Sequence, residues 1–141
     1  MTNDLQYAID NLILRIKSSE INGVGLFAIK DIEKDKQLLK YHGTVQLIEF
    51  ILEEEDEVYF TPEQLDMFTD YYLRKDGKIR MVMMPNEQGM LHRYLNFSND
   101  NFNCIFKDEL IIATRDISIG EEILLDPLSK IGEPFDPFFN K

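Results

Sequence analysis

The stretch Arg93-Tyr94-Leu95-Asn96-Phe97-Ser98 opens a polar segment that continues to Cys104. Asparagine, aspartate and serine dominate this segment, and apolar residues stand on either side of it. Because binding and catalytic groups concentrate in polar loops that a scaffold positions, the pattern predicts a site near Asn96. An asparagine amide both donates and accepts hydrogen bonds, which suits recognition of a purine edge or an amino acid. A loop of side-chain-capped turns fits the same residues equally well.

A second candidate is the pair of glycines in Gly23-Val24-Gly25. Paired glycines let the backbone turn sharply and let a ligand approach closely. The third glycine and the following helix of a dinucleotide-binding fingerprint are missing, so the sequence excludes a Rossmann-type site. Taken alone, the two glycines are explained more simply by a plain β-turn than by a binding loop.

The charge balance of the chain is acidic. Fifteen Lys and Arg against 26 Asp and Glu give a formal net charge of −11 over 141 residues. Such a surface repels nucleic acid and attracts basic peptides, although a need for solubility explains the same excess. The length predicts one domain, residues 1–141, with a single core.

Residues with metal-binding or nucleophilic side chains are few. His42, His92 and Cys104 have no short ligand spacing, so no metal site is predicted, and nothing local supports a Cys–His nucleophile. The single cysteine excludes an intrachain disulfide and suits a reducing compartment. No apolar run reaches membrane-spanning length and no secretory signal is visible, which predicts an intracellular protein, cytoplasmic or nuclear.

Short strands and tight turns dominate the predicted secondary structure. Strands are expected at residues 12–17, 26–29, 37–41 and 123–125, and hairpins over 71–83 and 104–114. Residues 1–11 suggest a short helix, Val45, Ile48 and Leu52 follow a helical spacing, and Thr61-Pro62-Glu63-Gln64 begins a helix. The fold class is therefore α+β and mostly β, with a core at about 12–127, a helical insertion at 44–88 and a Phe- and Pro-rich tail at 128–141.

Four motifs, taken in order, resemble the SET domain. They are Gly23-Val24-Gly25-Leu26-Phe27-Ala28 with Asp31-Ile32, then Tyr41-His42-Gly43, then Arg93 to Ser98, and finally the segment from Ala113 to Asp126 that contains Gly120-Glu121-Glu122. The resemblance implies a β-clip fold of several small curled sheets. It also implies a knot-like C-terminal crossing between residues 93–98 and 123–126.

The same resemblance implies an S-adenosylmethionine-dependent protein-lysine N-methyltransferase. Transferred position by position, the expected cofactor-binding residues are Gly23, Val24, Gly25, Arg93, Asn96 and Phe97. Asn96 would hold the amino-acid end of the cofactor, the Phe97 backbone would face the adenine, and Tyr41 would line the lysine channel. The implied substrate is a basic protein or peptide such as a histone tail. The acidic charge and the lack of a membrane-spanning apolar run predict no direct contact to nucleic acid or membrane.

Two departures from the family pattern concern activity. Pro127 stands where the family has its main catalytic tyrosine, and Phe97 replaces the motif histidine. Tyr41, Tyr71, Tyr72 or Tyr94 would have to supply a hydroxyl from another direction, and Tyr94 is expected to pack in the core. Two hypotheses therefore stay open: a methyltransferase with an atypical site, and a non-catalytic SET-fold module that binds a basic peptide or a protein partner.

Overall fold

The computed structural model describes residues 2–40, 48–83 and 91–129, apart from the side chains of residues 40, 82, 83, 92 and 93. The helices are α1 (Asn3–Asn11) and α2 (Pro62–Tyr71), with 3-10 helices at Glu54–Tyr59, Leu91–Tyr94 and Pro127–Ser129. The strands are β1 (Leu14–Ser18), β2 (Val24–Ala28), β3 (Gln37–Lys40), β4 (Ile48–Leu52), β5 (Arg74–Lys75), β6 (Lys78–Met83), β7 (Asn96–Phe97), β8 (Cys104–Lys107), β9 (Leu110–Ala113) and β10 (Leu124–Leu125).

The strands form three small sheets, as the predicted fold class requires. β1 and β2 make an antiparallel pair, the five-stranded sheet has the order β3-β9-β8-β10-β7, and the three-stranded sheet has the order β4-β6-β5. The predicted hairpin of β8 and β9 is confirmed, with Cys104 opposite Ala113. Its turn residues Asp108 and Glu109 both have positive φ, 52° and 65°, as a tight two-residue hairpin turn demands.

The C-terminal crossing is formed by β10, which lies between β7 and β8 and runs parallel to both. Residues 98–103 connect β7 to β8, so β10 must pass through the opening that this connection encloses. Asn103, only 1% exposed, holds β10 in place. Its Nδ2 donates to the Glu122 carbonyl oxygen and its Oδ1 accepts from the Leu124 amide, both at 2.8 Å. The predicted crossing between residues 93–98 and 123–126 is therefore confirmed.

The N-terminus of α2 follows its sequence signature. Thr61 Oγ1 accepts from the Gln64 amide at 3.0 Å, and Gln64 Oε1 accepts from the Thr61 amide at 2.9 Å, which is the reciprocal capping box. Gln64 is also buried, and its Nε2 donates to the Leu12 carbonyl oxygen at 2.7 Å. The capping residue thus also attaches α2 to the segment that precedes β1.

The apolar interior contains two clusters, where the sequence predicts one core. One cluster, which includes Leu26, Ile111 and Leu125, fills the space between the β1–β2 pair and the five-stranded sheet. The other, which includes Ala8 and Phe68, lies under the three-stranded sheet and is closed by α1 and α2. In the described part of the chain, no helix combines the length and apolar character that crossing a bilayer requires.

The helical spacing of Val45, Ile48 and Leu52 is misleading. Residues 48–52 form β4, in which Ile48, Phe50 and Leu52 are buried and the residues between them are exposed. A helix would place Ile51 on the same face as Ile48 and Leu52, but Ile51 is 57% exposed, and Phe50 takes the interior position that the strand period gives it. The helix predicted across residues 45–52 is therefore wrong over 48–52, and Val45 lies outside the described residues. The insertion at 44–88 combines the helix α2 with a three-stranded sheet.

Candidate functional site

Asn96 lies in β7 with 9% of its surface exposed, and its side chain joins two distant parts of the chain. The Nδ2 atom lies 3.1 Å from the Val24 carbonyl oxygen, 3.1 Å from Ser19 Oγ, 2.8 Å from Glu122 Oε2 and 3.4 Å from the Asn22 carbonyl oxygen. All four neighbours are hydrogen-bond acceptors, so the amide nitrogen, and not the oxygen, must face them. The polar segment and the glycine loop singled out in the sequence therefore meet in one cluster.

Ser19 holds this cluster together. Its hydroxyl donates to the Glu122 carboxylate, 2.8 Å from Oε1 and 2.9 Å from Oε2, which leaves its lone pairs to accept from Asn96 and from the Ile21 amide. The Ser19 amide donates to the Gly23 carbonyl oxygen at 2.9 Å and closes the turn between β1 and β2. Ser19 therefore fixes the glycine loop through its backbone amide and the Glu122 carboxylate through its hydroxyl.

The two glycines of the Gly-x-Gly pair are required for different reasons. Gly23 has φ +50° in open space, a backbone conformation that suits glycine. A Cβ at Gly25 would lie 2.9 Å from Glu122 Cδ, 3.0 Å from Asn96 Nδ2 and nearer still to Glu122 Oε2. The chain's own Glu122 therefore occupies the space that a side chain at Gly25 would need.

Backbone hydrogen bonds to β2 keep Glu122 at this position. The Ile123 amide donates to the Leu26 carbonyl oxygen at 2.7 Å, and the Ala28 amide donates to the Glu121 carbonyl oxygen at 2.9 Å. The segment that leads into β10 therefore runs antiparallel to β2. The same register puts the Glu122 side chain over Gly25 and the Glu121 side chain towards Arg115.

Three apolar side chains near the cluster in sequence are exposed. Phe97 is 56% exposed, Val24 42% and Tyr94 40%. The expectation that Tyr94 packs in the core is wrong, because its neighbour Leu95, 8% exposed, takes the core position at the end of the 3-10 helix. These exposed apolar side chains could pack against an aromatic ring of a ligand.

A SET domain family model matches residues 23–126 of this chain. The matched range includes Ser98 and Asn103. It also includes the residues of the cluster around Asn96 from Gly23 to Glu122, but not Ser19 and Asn22. The chain belongs to the SET domain family.

Relatives of this SET domain include lysine methyltransferases. N-lysine methyltransferase KMT5A of Xenopus tropicalis is 29% identical over 112 residues, covering 74% of this chain and 32% of the relative. N-lysine methyltransferase KMT5A-A of Danio rerio is 27% identical over 121 residues, covering 80% of this chain and 34% of the relative. The chain thus spans about a third of the length of these relatives. Among solved structures, the methyltransferase domain of human PR domain-containing protein 2 aligns at 17% identity and TM-score 0.41, covering 79% of this chain and 74% of that one.

At Pro127, the residue that the family resemblance aligns with the catalytic tyrosine, the chain begins a turn. Pro127 is the first residue of the 3-10 helix Pro127–Ser129, a position that suits the fixed φ of proline. Asp126 Oδ1 accepts from the Leu128 amide at 3.0 Å, and Ser129 Oγ accepts from the Phe106 amide at 3.0 Å. The chain is therefore tied back to β8 directly after β10.

Other residues singled out in the sequence fall into three groups. Tyr41 and the side chain of Arg93 lie outside the described part of the chain. Tyr71 contacts the Arg15 guanidinium, whose carbon lies 5.6 Å from the centre of the Tyr71 ring. Tyr72 packs on the second apolar cluster, where burial raises its pKa.

Burial raises the pKa of the Cys104 thiol to about 12, which excludes a thiolate nucleophile at neutral pH. Within the described residues, no three His, Cys, Asp or Glu side chains gather as metal ligands.

Ser19 and Glu122 are the site residues that sequence reasoning missed. Glu122 stands inside a quoted motif, but nothing in the sequence assigns its side chain to the glycine loop. Ser19 precedes every motif, and its hydrogen bond to Glu122 spans 103 positions of the chain. A hydroxyl residue a few positions before the glycines is the one signal that the sequence offers.

Proposed function

We propose that this SET domain is an S-adenosylmethionine-dependent protein-lysine N-methyltransferase with an atypical active site. The observation that carries the proposal is the set of hydrogen bonds from Asn96 to Val24 and Glu122. These bonds bring the glycine loop, the asparagine motif and the C-terminal motif of the family into one cluster. The resemblance to the family assigns the amino-acid end of the cofactor to Asn96, which is a member of this cluster.

The described residues fit such a cofactor. Asn96 Oδ1 accepts no hydrogen bond in the described part of the chain, so it is available to a donor on a ligand. The Glu122 carboxylate adds a negative charge, and exposed Phe97 offers apolar surface to an adenine ring. Gly23, Val24 and Gly25 would contact the cofactor through their backbone, the Phe97 backbone would face the adenine, and Arg93 would help to shape the pocket.

The chemistry expected of the chain is mainly alignment. When bound, S-adenosylmethionine supplies an electrophilic methyl group on a sulfonium sulfur. Asn96 and the glycine loop would hold one end of that molecule, and Tyr41 would line the channel for a neutral lysine amine. Correct alignment of two reacting groups alone lowers a barrier substantially. Because Pro127 has no hydroxyl to orient the amine, we expect slower methyl transfer than a tyrosine at this position would allow.

The proposed substrate is a basic protein segment such as a histone tail. The net charge of −11 favours encounters with basic peptides through long-range attraction. Glu54 and Glu55, both exposed, lie in the 3-10 helix Glu54–Tyr59 and have no Lys or Arg partner among the described side chains. Such carboxylates raise the local concentration of a basic segment without specifying its sequence.

A second candidate function is a non-catalytic SET module that binds a basic peptide or a protein partner. Pro127 favours this candidate, because it begins a hydrogen-bonded turn and replaces the hydroxyl on which the family relies. The first candidate predicts methyl transfer and the second predicts none. Both predict binding of basic peptides.

Titration calorimetry of the purified protein with S-adenosylmethionine and S-adenosylhomocysteine tests the first proposal. We expect dissociation constants in the micromolar range, about −8 kcal/mol. Incubation with S-adenosylmethionine and basic peptides, followed by mass spectrometry, then tests for a methyl group on lysine. Absence of binding would overturn the methyltransferase proposal. Binding without any transfer would favour the second candidate.

A further inference from the structure

The cluster around Asn96 has more hydrogen-bond acceptors than donors. Asn96 Nδ2 carries two N–H groups, yet four oxygen atoms lie within 3.4 Å of it. The Ser19 hydroxyl contributes one more donor, which it directs to the Glu122 carboxylate. Since carbonyl and carboxylate oxygens each accept more than one hydrogen bond, several lone pairs stay without a donor.

The negative charge of the cluster also indicates that a donor is missing from it. Glu122 is half-buried, and no lysine or arginine nitrogen among the described side chains lies within 4 Å of its carboxylate. Its described partners are the neutral groups of Ser19 and Asn96. Removing a carboxylate from water is costly unless a cation or several donors compensate it. A ligand that brings a positive charge and several N–H groups would supply both.

We propose that Glu122, oriented by Ser19, is the residue that selects a primary ammonium group at this site. The inference rests on the proposed function, in which the amino-acid end of the cofactor carries such a group. A metal ion fits less well, because the cluster has a single carboxylate and the Asn96 N–H groups point at its oxygens. An ammonium group donates three hydrogen bonds and matches the surplus of acceptors.

Comparison of three ligands on the unaltered protein tests the inference without any substitution. The ligands are S-adenosylhomocysteine, its analogue with hydrogen in place of the amino group, and methylthioadenosine, which lacks the whole amino-acid end. We expect removal of the amino group alone to weaken binding about tenfold or more, because a charge-assisted hydrogen bond is lost. Equal affinity for the first two ligands would overturn the inference and leave the proposed function intact. No binding of any of the three would overturn both.

Two variants then assign the effect to a residue. Glu122→Gln keeps the shape of the side chain and removes its charge, and we expect it to weaken S-adenosylhomocysteine binding about tenfold while the affinity for methylthioadenosine is unchanged. Ser19→Ala, which removes only the orienting hydroxyl, should produce a smaller loss with the same ligand dependence. Should Glu122→Gln fail to fold, Ser19→Ala and the ligand comparison decide the matter.

The matched control is Glu121→Gln. It changes the same chemical group one position away, where the carboxylate pairs with Arg115 at 2.9 Å and takes no part in the cluster. We expect it to bind all three ligands as the unaltered protein does. A loss of affinity in Glu122→Gln that is equal for all three ligands, or a loss of the same size in Glu121→Gln, would show a structural role and overturn the inference.

Discussion

The carboxylate of Glu122 occupies the space in which a side chain at Gly25 would stand. Glu122 Oε2 also accepts from Asn96 Nδ2 at 2.8 Å, so it cannot move aside without breaking that bond. The glycine is therefore required by a neighbouring side chain and not by its own φ angle. The effects on stability of substitutions at Gly25 and at Glu122 should consequently be non-additive.

Gly25→Ala should destabilise the protein through this contact. We expect a loss of about 1–3 kcal/mol in the free energy of unfolding, the usual cost of overpacking, measured by urea denaturation. In a Glu122→Ala background the steric part that arises from the Glu122 carboxylate should disappear and only the 3.0 Å contact with Asn96 Nδ2 should remain, so that the double variant is more stable than the sum of the single changes predicts. Gly23→Ala is the control: its cost arises from φ +50° and should simply add to that of Glu122→Ala. Additive behaviour at Gly25 would contradict the steric explanation.

Asn96→Ala and Asn103→Ala should separate ligand binding from folding. Both asparagines are buried, but the Asn96 side chain faces the acceptor cluster whereas the Asn103 side chain bonds to the backbone around β10. We expect Asn96→Ala to weaken S-adenosylhomocysteine binding far more than it lowers stability. We expect Asn103→Ala to cost about 1–3 kcal/mol of stability with the affinity of the folded protein retained. Calorimetry and urea denaturation of both variants provide the measurements, and unchanged affinity in Asn96→Ala would refute the site assignment.

Pro127→Tyr should raise the rate of methyl transfer. Under the proposed function it introduces a hydroxyl at the position that the resemblance aligns with the family's tyrosine, while the cap that Asp126 provides for the following turn stays in place. We expect faster methylation of a basic peptide in a mass-spectrometric time course, with cofactor affinity unchanged.

Pro127→Phe is the matched control for this substitution. It brings the same ring without the hydroxyl, so its rate should stay at the level of the unaltered protein. Equal rates for the tyrosine and phenylalanine variants would show that the hydroxyl has no role here, and no transfer in either would favour the binding module.

The ion pair between Glu121 and Arg115 should contribute a small, pH-dependent stability. Burial raises the pKa of Glu121, but the hydrogen bonds from Arg115 and from Ser118 outweigh this effect and hold the pKa below its usual value of 4.5. A carboxyl group with a depressed pKa stabilises the fold above its unfolded-state pKa, and that stability is lost as the pH falls through the folded-state pKa. Because the pair is largely exposed, we expect Glu121→Gln to cost about 0.2–1 kcal/mol at pH 7.

Acid titration of the stability checks this expectation. The difference in unfolding free energy between the unaltered protein and Glu121→Gln should be constant above about pH 5 and should shrink as the pH falls below 4.5. High salt should reduce the difference at pH 7, since exposed pairs are screened. A difference that stays constant down to pH 3 would exclude the ion pair as its source.

The sequence predicts those features whose causes are local. The capping box of Thr61 and Gln64 needs only neighbouring residues, and it is found as expected. Ile48 and Leu52 fit both a helical and a strand period, and only the partner strand β6 decides between them. Ser19 cannot be recognised as a site residue in advance, because its role depends on Glu122 at the other end of the chain.

The position of β10 between β7 and β8 has a consequence for the order in which the protein assembles. β10 can enter only when the loop at residues 98–103 leaves room for it, and it pairs with two strands, β7 and β8, that are synthesised before it. Glu122 lies two residues before β10, so the oxygen cluster at Asn96 is completed in the same step. A nascent or truncated chain without residues 122–125 would therefore lack both the closed sheet and the site. Affinity for S-adenosylhomocysteine would then measure whether β10 has entered between β7 and β8.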